Sequence, residues 1–211
     1  MPLPQTKTGN APLRIYAKVP GTETLGPFLR YGLWVQGCPF SCAGCMTPDA
    51  HAQSGGELWS AEDLAADVLA ESDIEGITIS GGEPFAQATG LSAMLHLIRE
   101  ARDLGVIIYT GFRLESLQKL ACSDSGVAEL LGVADLIIDG PYEESLNHDV
   151  SLKGSSNQRA HLVSSRYRDY LYLYDLEQAR RVEVQIRLDE RMFIGIPSRR
   201  QLMWWQKEKG V

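Results

Sequence analysis

The sequence predicts an α/β fold built around a parallel sheet, and three observations carry that prediction. Short apolar runs of strand length alternate with amphipathic stretches of helix length between about residues 32 and 138. Each run breaks off into a segment rich in glycine, aspartate or proline, as strands do where the chain turns. With 211 residues the chain is long enough for one domain with a sizeable core and too short for two typical ones.

Taken in order, residues 1–12 read as a poorly ordered tail. Gly32 to Gln36 is an apolar run that reads as a buried strand delivering the chain to Gly37 and the first cysteine. Pro48 to Glu57 is turn-rich. Ser60 opens a helix, with Asp63 three residues on as a weak capping box and Leu64, Val68 and Leu69 as its apolar stripe. Ile77 to Ile79 is a strand ending at Gly81-Gly82, and residues 86–103 form a helix with Leu91, Met94, Leu95 and Ile98 on one face. Val106 to Tyr109 is a strand, Leu114 to Ala121 a helix and Val127 to Leu131 a shorter one. Asp135 to Ile138 is the next strand, stopped by Asp139-Gly140-Pro141. Strands and helices of these lengths imply βαβ units, whose ligands sit at the carboxyl ends of the strands. The rhythm changes beyond residue 141. Glu143 to Arg166 is a long polar segment, a loop of a length that is usually functional or disordered. Arg166 to Leu176 is rich in tyrosine and leucine, without an assignable element. Val182 to Leu188 and Met192 to Ile196 read as a hairpin around Asp189-Glu190. Ser198 caps a final helix bearing Leu202, Met203 and Trp205.

The formal net charge of −7 argues against binding nucleic acid through a broad basic footprint. No apolar stretch approaches the length of a membrane span, and Met1 to Ala11 lacks the apolar core of a signal peptide, so a cytoplasmic protein is expected. Three of the four cysteines fall within eight residues. A disulfide framework would spread them along the chain, so clustered thiols in a cytoplasmic protein read as metal ligands.

Those three, Cys38, Cys42 and Cys45, have the spacing Cys-x3-Cys-x2-Cys. Three thiolates on a short loop suit three corners of a [4Fe–4S] cubane, leaving one iron open to a substrate or cofactor. Two other readings stand beside it. One is a zinc site completed by His51, the other a four-cysteine electron-transfer cluster completed by Cys122, which otherwise reads as a bystander beside a Ser/Asp/Gly loop.

This loop, preceded by Trp34-Val35-Gln36-Gly37 and followed by Pro48, resembles the radical SAM superfamily and, within it, the glycyl-radical-enzyme activases of the anaerobic ribonucleoside-triphosphate reductase type. The resemblance covers about residues 12–160. It implies a partial, open (β/α)6 TIM-like barrel over residues 13–160. Residues 161–211 depart from the resemblance, and read as a C-terminal extension of hairpin and helix packed on the same domain, either closing the open side of the barrel or forming a docking surface through Trp204-Trp205. The resemblance also implies a [4Fe–4S] cluster on Cys38, Cys42 and Cys45. S-adenosylmethionine (SAM) on the open iron would be reductively cleaved to methionine and a 5′-deoxyadenosyl radical that abstracts hydrogen. The cofactor supplies the hard chemistry, and the protein positions it.

Further segments extend the resemblance. Ser80-Gly81-Gly82-Glu83-Pro84 follows a strand, where glycines let the backbone approach a ligand and Glu83 offers an acceptor. The family's equivalent binds the methionyl amino group, so Gly81, Gly82 and Glu83 are candidate cofactor contacts. Tyr109-Thr110-Gly111-Phe112 resembles a segment near the adenosyl site, which makes Thr110 a candidate, although an ordinary strand-to-helix turn with Phe112 in the core accounts for it equally. Asp139 resembles an aspartate that contacts the ribose or a nearby cation. Two residues on, where other activases carry a lysine for the methionyl carboxylate, this chain has Pro141. Lys153-Gly154-Ser155-Ser156-Asn157-Gln158-Arg159 matches the reductase activases closely. It makes Asn157 a candidate contact and Arg159 the candidate replacement for that lysine. Arg30 follows Gly26-Pro27-Phe28-Leu29, a partial match to an activase segment. His51, His96 and His161 are expected in surface or packing roles.

Two enzyme functions follow. In the first, the protein installs a glycyl radical on a partner such as an anaerobic ribonucleotide reductase, with a flavodoxin or ferredoxin as electron donor. In the second, the same cofactor chemistry acts on a small molecule or short peptide. A non-enzymatic iron–sulfur or zinc module is a third reading, disfavoured by the intact Gly-Gly-Glu-Pro. Four parallel strands and no lid beyond residues 143–166 predict an open rim, which favours the first.

Overall fold

The computed structural model describes residues 12–149, 151–175, 180–187 and 190–209. The expected tail (but for residue 12) and the hairpin tip at Asp189 lie outside the described residues.

A seven-stranded sheet runs in the order β3-β1-β2-β4-β5-β6-β7. Its four middle strands, β2 (Arg30–Val35), β4 (Gly76–Gly81), β5 (Gly105–Tyr109) and β6 (Leu136–Asp139), are the four read from the sequence. They pair in parallel, in sequence order. Period-two alternation sorts their side chains. Ile77, Ile79, Val106, Ile108 and Ile137 face a core shared with α1 (Ala61–Leu69), α2 (Ala88–Ala101), α3 (Leu114–Ala121) and α4 (Ser125–Val133). Ile107, Leu136 and Ile138 point the other way, onto Tyr167 and Tyr174. The Ser60 cap read from the sequence is present, its hydroxyl accepting from Asp63 N at 3.0 Å; α4 starts two residues before the expected Val127, capped by the Asp124 carboxylate, which accepts from Val127 N at 3.1 Å.

Antiparallel strands flank this parallel core. β1 (Leu13–Thr22) pairs with both β2 and β3 (Glu57–Trp59). The polar stretch expected to be a loop over residues 143–166 contains β7 (Arg159–Leu162), an edge strand on β6 with Arg159 opposite Asp139. That pairing is held by an ion pair between the two side chains, a cause that hydrophobic patterning does not register.

The starts of the middle strands are fastened from below. Arg30, fully buried, donates from Nε to Thr78 Oγ1 at 2.6 Å and from Nη2 to the carbonyls of Ile77 (2.8 Å) and Gly105 (3.2 Å). Its Nη1 reaches Glu75 Oε2 at 2.8 Å and the Tyr167 hydroxyl at 2.7 Å. The guanidinium thus bridges β2, β4 and β5 at the end opposite the cysteines.

Near the C-terminus, β8 (Val182–Arg187) and β9 (Glu190–Gly195) form the expected hairpin, followed by α5's later counterpart α6 (Arg199–Lys209), α5 itself being the single turn Tyr172–Asp175. The hairpin docks on β1 and the turn after it. Gln185 Nε2 donates to Gly21 O at 2.9 Å, Glu23 N to Glu183 Oε1 at 2.9 Å, and Ile194 is buried with Val19 and Leu25. No described helix is long and apolar enough to cross a membrane.

Candidate active site

The segments following β2, β4, β5 and β6 meet at the carboxyl-terminal rim around a cavity of about 590 Å³. Cys38, Cys42, Cys45, Gly81, Gly82, Glu83 and Thr110 all line it. The cysteine loop is held from several sides. Gly37 N donates to Ala50 O at 2.8 Å and Cys38 N to His51 O at 3.1 Å, so the chain beyond the loop folds back along its start. Gln36 Nε2 grips the same return segment at the carbonyls of Asp49 and Ala52. Thr47 Oγ1 donates to Gly81 O at 3.1 Å, tying the loop's far end to β4. Phe40 packs edge-on against Phe112, ring centroids 4.9 Å apart, and Phe112 also packs on the main core.

Two glycines make this closeness possible. Gly81 has φ +100°, and a Cβ on Gly82 would stand 2.3 Å from the Gly37 carbonyl oxygen. Without side chains there, Gly82 N reaches Val35 O (2.8 Å) and Glu83 N reaches Gly37 O (2.9 Å).

Glu83 is fully buried. Its Oε1 accepts from Phe85 N at 2.9 Å and the Thr110 hydroxyl at 2.8 Å, and its Oε2 from Gly111 N at 2.9 Å. A carboxylate has about four acceptor sites, so one remains for a donor in the cavity. Burial pushes its pKa up to about 7, and these three donors only partly offset that rise. Burial likewise pushes the Cys38 thiol up to about 11, against the pull of the Phe40 amide, and raises Cys42. Metal loading therefore has to displace thiol protons.

The donor set suits a cubane. All three loop cysteines are free and half-buried on one cavity wall. Among the described residues no three His, Cys, Asp or Glu side chains converge as a single metal ion requires, whereas a cubane takes each thiolate to a separate iron. Cys122 is exposed on the α3–α4 turn, its thiol directed at Gln118 O, and does not line the cavity.

Three further candidates stand away from the cavity wall. Asp139, fully buried, accepts from Leu114 N at 2.7 Å and from Arg159 Nε at 2.9 Å. Arg159 also forks onto Glu115 at 2.9 Å through both terminal nitrogens. Asn157 donates to Pro141 O at 2.8 Å and to Glu143 Oε1 at 3.0 Å. From the same polar run it is Gln158 that reaches the cavity, bonded to Gly140 O and to the amides of Gly154 and Ser155. Sequence reasoning singled out Asn157 and Arg159 in this run and passed over Gln158 between them, since one amide in a polar run looks like the next. It also gave His51 a surface or packing role, and His51 lines the cavity. Met192, Phe193, Ile194 and Trp205 complete the wall, so the rim is more covered than the open one expected. Arg180 fastens this cover. It is buried and donates to the carbonyls of Ser151 (3.2 Å), Gly154 (3.1 Å) and Pro197 (3.1 Å). Nothing in its sequence context marks it.

Residues 24–161, well over half of the chain, match the family described as a 4Fe-4S single cluster domain. An anaerobic ribonucleoside-triphosphate reductase-activating protein of Enterobacteria phage T4 is 31% identical over 140 residues, covering 64% of this chain and 84% of the relative. The protein of that name from Vibrio cholerae is 32% identical over 146 residues, 64% and 89% of the two chains. The chain belongs to the radical SAM activase family. A second branch of these activases is also similar: a pyruvate formate-lyase-activating enzyme of Streptococcus mutans shares 35% over 168 residues, 72% of this chain and 62% of its own. As a radical SAM activase the protein is an iron–sulfur enzyme of the oxidoreductase type. The hairpin and α6 lie beyond the segment that the family match spans.

Proposed function

We propose that this activase cleaves SAM reductively at a [4Fe–4S] cluster held by Cys38, Cys42 and Cys45, and thereby installs a glycyl radical on a partner anaerobic ribonucleotide reductase. The observation that carries this reading is the convergence of the three thiols with Gly81, Gly82, Glu83 and Thr110 on one cavity. A cluster held by Cys38, Cys42 and Cys45 would supply the single electron for reductive cleavage of SAM to methionine and a 5′-deoxyadenosyl radical able to take hydrogen from glycine. The chain's own groups bind and orient. Glu83 offers its remaining acceptor site to an N–H of the methionyl amino group, and Thr110 holds that carboxylate in place. Met192, Ile194 and Trp205 exclude water. Asp139 and Arg159 act one step back, as the pair that fixes the end of β6 and so sets Gly140 and Tyr142 on the wall.

In this reading the sheet and its helices are the partial barrel of the superfamily, residues 13–160 are the catalytic unit, and 161–211 cover it. The protein works in the cytoplasm with a flavodoxin or ferredoxin as donor. Incubation with SAM, a reductant and the anaerobic reductase is expected to give a persistent glycyl-radical doublet in electron paramagnetic resonance, lost when the partner's glycine is replaced by alanine. One observation favours the alternative, a small-molecule substrate: the hairpin encloses the cavity, and about 590 Å³ is of the size small ligands occupy. Absence of a radical on the partner, with a metabolite consumed in step with 5′-deoxyadenosine release, would establish that alternative.

A further inference from the structure

Charge is unevenly supplied around the cavity. Its lining carries two acidic side chains, Asp49 and Glu83, beside the three cysteine thiols. Among the described residues it carries a single arginine and no lysine, and that arginine is Arg191 of β9. The other arginines near the rim are engaged elsewhere. Arg159 is committed to Asp139 and Glu115, Arg113 donates to Asn157 O at 2.9 Å, and neither lines the cavity. Arg180 is taken up by main-chain carbonyls. Arg191, by contrast, is exposed, with no hydrogen bond or ion pair among the described residues. Its backbone is fixed all the same. It stands opposite Ile186 in the hairpin, and the next residue, Met192, packs on the cluster of Val19, Leu25 and Ile194. The strand is held and the guanidinium is left free.

We propose that Arg191 receives the carboxylate of SAM's methionyl group, so that the C-terminal extension, which lies outside the segment matched by the family, completes the cofactor site. Arg191 in this role presupposes SAM as the cofactor and fills a contact that the proposed function leaves open. The methionyl end of SAM carries an ammonium and a carboxylate on one carbon. Glu83 attracts the first and repels the second, and Asp49 adds to the repulsion. Cysteines that bind iron do so as thiolates, which makes the same wall more negative. A cation on that cavity gives it two poles, as a zwitterion requires. A guanidinium is always charged and meets a carboxylate with two parallel N–H donors, so it orients the ligand as well as attracting it. The hairpin then does more than exclude water: SAM held by both Glu83 and Arg191 ties the sheet to its cover.

The test reads binding rather than turnover. The cluster-loaded protein is titrated calorimetrically with SAM and with decarboxylated SAM, which keeps the amino group and lacks the carboxylate. Arg191→Gln is expected to weaken SAM about tenfold, the scale of a lost charged hydrogen bond, and to leave decarboxylated SAM within about twofold of the parent. Arg191→Lys, which keeps the charge but not the fork, recovers part of the loss. Arg181→Gln removes an equally exposed charge from the base of the same hairpin, outside the cavity lining, and leaves both ligands unchanged. Equal weakening of both ligands by Arg191→Gln, no weakening of SAM, an Arg191→Lys protein no tighter than Arg191→Gln, or the same loss in Arg181→Gln would each overturn the assignment while leaving SAM as the cofactor. A parent protein that binds no SAM would overturn the cofactor reading itself, and the activase reading fails on a different result, the absence of a radical on the intact reductase.

Discussion

Glu83 and Asp139 stand at the rim after β4 and β6, both fully buried, yet their surroundings push them in opposite directions. For Glu83 burial dominates. Its partners are two amides and a hydroxyl, all neutral, and its pKa rises to about 7. For Asp139 burial also raises the pKa, but the Arg159 guanidinium, the Leu114 amide and nearby His161 outweigh it and hold the carboxyl below its ordinary range. A buried carboxylate without a cation is ready for one from outside, whereas one already paired is part of the frame. The same residue class at equivalent points of a βα repeat therefore separates into ligand and scaffold only through its neighbours.

The largest effect expected is at the thiols. Cys38→Ala, Cys42→Ala and Cys45→Ala each abolish iron loading after anaerobic reconstitution, because two protein thiolates hold a cubane poorly. Cys122→Ala retains about four irons; loss there would make Cys122 a ligand and break the assignment of the cavity. Asp139→Ala, next in size, should cost about 2–4 kcal/mol in urea unfolding, since Leu114 N and a guanidinium lose their acceptor. A large loss of SAM affinity with unchanged stability would move Asp139 from frame to ligand. Glu83→Ala should do the reverse, weakening SAM binding by about 1.5–3 kcal/mol in isothermal titration, as expected for a charge-assisted hydrogen bond.

A comparable effect is expected in the dependence on pH. Glu83 titrates near its ordinary 4.5 when unfolded and near 7 when folded. Its neutral form therefore contributes stability that is full below about 4.5 and is lost as the pH rises through about 7. Metal-free protein should lose stability relative to Glu83→Gln between pH 5 and 8, on the order of 2–3 kcal/mol. SAM affinity should climb over the same interval as the carboxylate ionises. A flat difference curve would mean that Glu83 is already charged in the free protein.

The parallel strands and their helices were legible because burial on both faces writes apolar runs, and a cap such as Ser60 punctuates them. The cysteine loop and Gly81-Gly82-Glu83 were legible because each motif is short and closes on itself. Other parts depend on partners distant in the chain. β1 carries its alternation openly at Leu13, Ile15, Ala17 and Val19, yet the reading passed from the tail to Gly32 without using it. β7 exists through Asp139, twenty residues upstream of Arg159, and Arg180 donates to the main-chain carbonyls of four residues, Ser151, Lys153, Gly154 and Pro197, a role without any sequence signature.

Arg30 has a consequence for the protein's working life. Its guanidinium spans the starts of β2, β4 and β5, so the sheet is fastened at the end remote from the thiols. Oxygen that strips the iron would then damage an insert rather than dissolve its housing. The metal-free polypeptide is therefore expected to stay folded and to take up iron and sulfide again once its thiols are reduced, which far-ultraviolet circular dichroism and iron content after an oxygen pulse would check.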